Sequence, residues 1–480
     1  MSIGSPEPGG RRSGLAGQRA VRGSEPASQQ SGQSAVSARQ SAVAWTASAA
    51  AELDAMLAGA DQALAERYPG ERAGRQPVHT AYVAADRFEP GLAARWGQAA
   101  LAALAECAPG AAEFGAAMDL PAGLAAEVLP LVRAKLAAEP VEDLRLDFED
   151  GYGDRGDAAE DADAREAAAR LAAALDAGAA PSFTGLRCKS LEAATRRRAV
   201  ATLELFLSEL LRCGPLPAAF VITLPKVSSA DQVRAMVHLC ERLEQASGLA
   251  PGRLRFEVQV ETPQLVLGAD GAAEVARCVH AGGGRLTGLH YGTYDYSAAL
   301  QIAAGEQRLD HPAADYARAV MQVAVAGTGV RLSDGSTNVL PVGSRDAVVA
   351  AWRLHSRLVR RSLRRGFYQG WDLHPGHLVS RYAASYAFFL DGLPAAAARL
   401  TSYLGTRPGP AADAGPAEEP ATVRALAGYL ARGLDCGAVP PAELAAATGL
   451  EPAGLYALCG RRDASLEPAP HSPRGADGRS

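Results

Sequence analysis

The sequence has no Cys-x-x-Cys pair. Its seven cysteines (Cys107, Cys188, Cys213, Cys240, Cys278, Cys436 and Cys459) are odd in number and widely spaced, which argues against a disulfide framework or a zinc ribbon and fits a reducing cytoplasm. No run of about 18 uncharged apolar residues occurs, and no apolar h-region follows Arg11 and Arg12. The chain therefore reads as soluble, unexported and without membrane attachment. A basic stripe is also missing: the formal net charge is -5 and both signs are interspersed, which speaks against nucleic acid or an anionic membrane as partner. A small anionic substrate would need positive charge gathered locally.

What is present divides unevenly. Residues 1–42 are Gly, Ser, Gln, Arg and Pro with few apolar clusters, a composition that predicts a disordered tail. Residues 405–422, rich in Gly, Pro and Ala, read as a linker; residues 423–462 read as a small helical appendage and 463–480 as a second disordered tail. Between them, residues 43–404 form the ordered body. Alanine is so abundant throughout that helix propensity is given less weight than usual. Eight β-like runs alternate with helical stretches in the body: His79 to Ala85, Leu144 to Phe148, Phe183 to Lys189, Phe220 to Val227, Leu254 to Val260, Leu286 to Tyr291, Val330 to Leu332 and Phe367 to Leu373. Strand-helix alternation predicts a parallel sheet, and eight units close most economically into a (β/α)8 TIM barrel, which takes about 250 residues. A doubly wound open sheet is the alternative, but the first β-α turn has no G-x-G-x-x-G.

Polar groups collect where these strands stop. The run Leu144-Arg-Leu-Asp-Phe-Glu-Asp-Gly-Tyr-Gly153 ends in Asp147, Glu149 and Asp150; Arg87 follows the first strand, Arg187 ends the third, Lys226 the fourth, Glu261 the fifth, Asp295 follows the sixth and His374 the eighth. One barrel mouth would gather them all. Glu261 and Asp295, 34 residues apart or one strand-helix repeat, supply two oxygen ligands on neighbouring strands and suit octahedral Mg²⁺, with Mn²⁺ as a substitute. Arg187 is suited to a substrate carboxylate bound in bidentate fashion, Lys226 is a second cation, and Arg87 a weaker one. Because alternate residues of a strand face opposite ways, one or two of the acids at 147–150 reach the mouth; Glu149 and Asp150 are the candidates to orient metal waters or a base. His374 is a candidate base. A 2-oxo acid held there would have its enolate stabilised, making cleavage or formation of the adjacent C–C bond feasible.

These residues in this order resemble the HpcH/HpaI aldolase and citrate lyase beta-subunit family, of the phosphoenolpyruvate/pyruvate-binding TIM-barrel superfamily, over most of residues 79–380. Leu-Asp-Phe-Glu-Asp-Gly is similar to the family's D-x-E-D strand, Gly-Leu-Arg-Cys-Lys to its arginine strand, Leu-Pro-Lys-Val to its lysine strand, Glu261-Thr-Pro and Gly292-Thr-Tyr-Asp295 to its two metal ligands, and Gly370-Trp-Asp-Leu-His-Pro375 to the late G-x-x-x-H-P segment. The resemblance implies a magnesium-dependent lyase or aldolase acting on oxaloacetate, pyruvate, glyoxylate or their CoA thioester adducts, in a homo-oligomer. Cys188-Lys189 stands where citrate lyase-like members carry an aliphatic residue and Asn, and Gly282 to Gly284 and Arg331 to Asn338 also depart, marking a divergent branch.

Plainer readings stand beside these. A strand-end acid is commonly a helix cap or half of an ion pair, Arg187 can pair with the acid strand, Lys226 can brace a carboxylate, and His374 before proline can serve a turn. A metabolite-binding barrel without turnover would use the same mouth. Pro441 to Tyr456 has a helix-Gly-turn-helix rhythm, but its second helix lacks the basic face that DNA phosphates require.

Overall fold

The computed structural model describes residues 28–405 and 419–461; residues 1–27, most of the expected linker and the expected second tail lie outside the described residues. The chain divides into two compact units, residues 1–66 and 67–480. The described part of the first is a single helix, α1 (Ser28–Arg67). It begins inside the stretch expected to be a disordered tail. Most of its alanines, the strongest helix formers, lie after residue 42, beyond that stretch.

The second unit is the expected barrel. Its strands are β1 (His79–Ala84), β2 (Asp143–Asp147), β3 (Phe183–Arg187), β4 (Phe220–Leu224), β5 (Arg255–Val260), β6 (Leu286–Tyr291), β7 (Arg331–Ser333) and β8 (Gly370–Asp372). All neighbours are parallel in the order β7-β6-β5-β4-β3-β2-β1-β8. A parallel bridge from Ser333 to Gln369, with the Asp334 amide donating to the Gln369 carbonyl at 2.8 Å, draws the two ends together. Helices α2 (Leu92–Cys107), α3 (Ala111–Met118) and α4 (Ala122–Ala138) follow β1, and α5 (Asp157–Asp176), α6 (Arg196–Cys213) and α7 (Ala230–Ser247) follow the next three strands. Then come α8 (Pro263–Val266) and α9 (Glu274–Ala281), α10 (Thr293–Ala299) and α11 (Pro312–Val325), α12 (Arg345–Arg364) and α13 (Pro375–Gly405).

The sequence logic of one crossover stands for the rest. Along α7, Val233, Met236, Cys240 and Leu243 recur at helical spacing and are buried, covering the sheet as an apolar stripe. Gly248 stops the helix at φ 67°, a left-handed conformation in which glycine carries no Cβ penalty. Every residue of β2 is buried, as is expected of a strand covered by helices outside and side chains inside.

Those inside are unusual. Barrel interiors are dominated by branched aliphatics, whereas here Arg145 crosses the axis to Glu257 at 3.0 Å and also pairs with Asp143. His290 Nε2 lies 3.0 Å from Glu257, and its Nδ1 accepts from the Trp371 indole at 3.3 Å. Burial alone would raise the Glu257 carboxyl, yet Arg145 and His290 hold it below the usual carboxylate range. The axis is thus filled by paired charges and aromatics.

Beyond α13 the chain continues as α14 (Pro420–Asp435), α15 (Pro441–Thr448) and α16 (Pro452–Leu458). The Tyr429 hydroxyl donates to the Phe388 and Phe389 carbonyls at 2.5 and 3.0 Å, seating α14 on α13. Leu444 and Leu455 are buried, and α16 contains no Lys or Arg. Among the described residues no single helix is long and apolar enough to cross a membrane.

Candidate active site at the carboxyl mouth of the barrel

The acidic run after β2 folds back on itself. Asp147 accepts the backbone N–H of Glu149 at 3.0 Å and of Gly151 at 2.8 Å, and both its oxygens accept from Arg187, Nε and Nη2 each at 2.6 Å. A Cβ on residue 151 would sit 2.5 Å from Asp147 Oδ2, so the turn needs glycine there. The β2–β3 register places Asp147 directly beside Arg187. With four N–H groups on it, Asp147 is a turn and arginine anchor.

Arg187 is 5% exposed, so its commitments decide what it can offer. Its bidentate edge faces Asp147; Nη1 reaches Gln259 Oε1 and Glu149 Oε2, both at 3.3 Å. One Nη2 hydrogen remains for a substrate, because guanidinium has five in all. The expected two-pronged grip on a substrate carboxylate is thus already taken by the acid strand. The guanidinium lies 5.0 Å from the Tyr82 ring centre and 5.8 Å from that of Trp371, whose rings are 4.4 Å apart. These aromatics form the floor of the mouth.

Lys226 is where the remaining acids meet. Its ammonium lies 2.5 Å from Glu149, 3.0 Å from Asp150 and 3.6 Å from Asp295, while its backbone N–H donates to Glu261 Oε1 at 2.8 Å. To do both, Lys226 takes φ 51°, a left-handed conformation that is uncommon outside glycine and concentrates at functional sites. Burial lowers the tendency of Lys226 to hold its proton, but Glu149, Glu261 and Asp150 more than offset this and keep it charged. Burial raises the Glu149 carboxyl despite Arg187 and Lys226; Asp150 is less enclosed, and there Lys226 outweighs burial and lowers it.

Glu261 is the most perturbed acid of the mouth. Burial, reinforced by the charge of Asp295, pushes its carboxyl up to about 7 against the pull of Arg187 and Lys226. It sits at the end of β5 in a cradle of bare backbone: a Cβ on Gly292 would lie 2.4 Å from Glu261 Cβ and 2.5 Å from Oε2. Asp295, in the first turn of α10, is half-exposed. The segment Arg331 to Asn338 braces that helix: the Thr293 hydroxyl donates to the Ser336 carbonyl at 3.2 Å, and the Asn338 amide donates to the Tyr294 hydroxyl at 2.5 Å.

Glu149, Asp150, Arg187, Lys226, Glu261 and Asp295 therefore converge. Arg87 does not join them; it ends an exposed turn after β1 and makes no hydrogen bond or ion pair among the described residues. His374 stays in its own turn, where Nδ1 accepts from the Gly376 amide at 3.0 Å. In that arrangement the proton of the neutral ring is on Nε2, so neither nitrogen is open to take another without breaking the turn. Burial and nearby His377 lower its pKa further. Gln259, Tyr82 and Trp371 were absent from the sequence-derived site. Gln259 had a signal, since it shares the inward face with Glu257 and Glu261 two residues to either side.

The donor set fits a divalent cation. Three of the acids already enclose one cation, the Lys226 ammonium, and Asp295 adds negative charge to that of the buried Glu261 carboxylate. Among the described residues no three His, Cys, Asp or Glu side chains converge closely enough to hold an ion alone. A cation on Glu261 and Asp295 would share its remaining positions with water and substrate, as Mg²⁺ commonly does. Gly292→Ala should disturb this carboxylate while leaving the barrel closed, so Mg²⁺ affinity measured by calorimetry is expected to fall about tenfold, the order seen when the support of a metal ligand is altered. Unchanged affinity would contradict the cradle.

A citrate lyase from Burkholderia xenovorans LB400 aligns with this fold at a TM-score of 0.53 and 19% identity, covering 77% of this chain and 95% of its own. CitE from Mycobacterium tuberculosis, solved with magnesium, acetoacetate and coenzyme A, gives a TM-score of 0.44 and 18% identity over 76% and 98% of the two chains. Malate synthase from Haloferax volcanii in a magnesium/glyoxylate complex gives 0.43 and 16% over 64% and 75%. No curated protein matches the sequence. One family model covers residues 57–462, the barrel with its C-terminal helices. On a fold shared with citrate lyase, the chain belongs to the family described as a domain of unknown function, DUF6986.

Proposed function

We propose that the protein is a Mg²⁺-dependent carbon–carbon lyase or aldolase that acts on a 2-oxo acid or a hydroxyacyl-CoA through an enolate. One observation carries the reading: at the carboxyl mouth three acids, Glu149, Asp150 and Asp295, surround the Lys226 ammonium and a fourth, Glu261, accepts the Lys226 backbone N–H, with a buried arginine behind them. Glu261 and Asp295 would hold Mg²⁺, or Mn²⁺ in its place. When bound there, the ion supplies Lewis-acid stabilisation of charge developing on the carbonyl oxygen of the substrate. Arg187 offers its one free N–H to the substrate carboxylate and contributes fixed positive charge from a buried position beneath the more open acids. The Tyr82 and Trp371 rings bar access below it, keeping the reacting carbon at the level of the acids. Glu149, whose carboxyl is raised by burial and so is closer to the range a general base requires, can accept a proton, with the charged Lys226 ammonium holding its Oε1.

The free state of all seven cysteines supports a cytoplasmic setting, and we place the protein there as a homo-oligomer. Incubation of the protein and Mg²⁺ with 4-hydroxy-2-oxo acids and with 2-hydroxyacyl-CoA esters, followed by assay of released pyruvate, glyoxylate or acetyl-CoA, tests the proposal. Metal-dependent release from one set separates aldolase from lyase. A second reading, a metabolite-binding barrel without turnover, is favoured by the near-complete neutralisation of Arg187 and Lys226 by acids. It would be chosen by metal binding without release from either set.

A further inference from the structure

A cavity of about 670 Å³ lies far from the mouth cluster in sequence and shares no residue with it, between the start of α4, the last turns of α12, the middle of α13 and the face of α14. Its volume falls in the range of small-molecule sites, roughly 300–1,000 Å³. Leu124, Phe388, Leu426 and Tyr429 supply an apolar wall, Arg360 and Arg364 form one edge, and Asp391 and Arg399 complete the charged lining.

These two arginines are one helical turn apart and so share a face of α12, where like charges repel. The adjacent face of the same helix shows how the protein settles such a pair. Arg361 and Arg365 are also four residues apart, and the Asp315 carboxylate bridges them: it pairs with Arg361 at 2.6 Å and contacts Arg365 as well. Arg360 and Arg364 have no such bridge. Arg360 donates to the Asp119 and Met118 carbonyls at 3.0 and 3.2 Å and has as its one acid the largely exposed Asp119 carboxylate at 3.3 Å; its Nε is buried without an acceptor, and exposed Arg364 makes no ion pair or hydrogen bond among the described residues.

We infer that this cavity binds a carboxylate with an apolar body, the carboxylate bridging Arg360 and Arg364 as Asp315 bridges Arg361 and Arg365. A guanidinium donates in a plane that matches carboxylate geometry, and the buried Nε–H of Arg360 gains the acceptor it lacks. The apolar body lies along Phe388, Leu426 and Tyr429, joining the barrel helices to α14. The site is independent of the chemistry proposed for the mouth.

The test uses the full chain and dodecanoate below its micelle-forming range, titrated calorimetrically. One molecule is expected to bind per chain. Arg364→Gln, at an exposed position, should weaken binding at least tenfold, and Ala425→Trp, exposed on α14 and projecting into the cavity, should weaken it to a similar degree. Arg357→Gln, on the same helix but outside the cavity, should leave it unchanged. Circular dichroism of each variant checks the fold, and dodecanol supplies the apolar body without the charge. No binding of dodecanoate, equal binding of dodecanol, or indifference to Arg364→Gln would each overturn the assignment.

Discussion

Glu261→Gln is expected to abolish saturable Mg²⁺ and Mn²⁺ binding and, in metal-free buffer at pH 8, to raise the melting temperature. The two effects have one cause. The folded protein lifts the Glu261 carboxyl from 4.5 to about 7, so between those values it holds a proton that the unfolded chain has released. The stability from this group is fully present below 4.5 and is lost as pH rises to about 7. Above that, the wild type keeps a buried charge with too little compensation. A neutral amide of the same shape removes that cost, worth about 3 kcal/mol as an upper bound, while it forfeits the ligand charge. Added Mg²⁺ should stabilise the wild type at pH 8, do so less at pH 6 where a proton competes, and leave the variant unaffected. A variant that still melts higher with Mg²⁺ would place the ion elsewhere. Loss of function with gain of stability is the signature of strain kept for chemistry.

Asp147→Ala should cost the most stability, about 3–5 kcal/mol, because removing one partner of a buried ion pair leaves the other charge uncompensated. Here the orphan is Arg187, buried over two adjacent aromatic rings, and the turn loses the acceptor for the Glu149 and Gly151 amides as well. Urea unfolding measures the loss; less than about 1 kcal/mol would show the pair to be a passive contact. The double variant Asp147→Leu/Arg187→Met should recover much of the stability, since a buried pair replaced by apolar groups is often nearly neutral. It should not recover turnover, because the guanidinium is gone.

The strands were legible because each is a short β-prone run between turn signals, and the polar residues at their ends pointed to one mouth. Glu261 and Asp295 could be paired from a single repeat length. The partner of Arg187 could not. That Asp147 stands beside it follows from the β2–β3 register, and register is a property of two strands that neither one states. Lys226 was read as a possible brace, but its reach to three acids depends on a left-handed backbone that nothing in Leu-Pro-Lys-Val announces. Arg87 and His374 sit at strand ends as surely as the others; what separates them is the direction of a side chain and a turn hydrogen bond, both set after the chain closes. The charges along the axis escaped notice for a related reason. Arg145 and Glu257 lie 112 residues apart, and apolar neighbours on the outward face made their strands look conventionally hydrophobic.

That axis also limits how this barrel can diverge. In an aliphatic interior, substitutions can accumulate one methyl group at a time, each costing little. Between Asp143, Arg145, Glu257 and His290 a single charge-removing change strands its partner in the core. Descendants of this chain can vary the loops of the mouth freely, but must exchange the residues beneath it in compensating pairs, so relatives should show these four positions changing together or not at all.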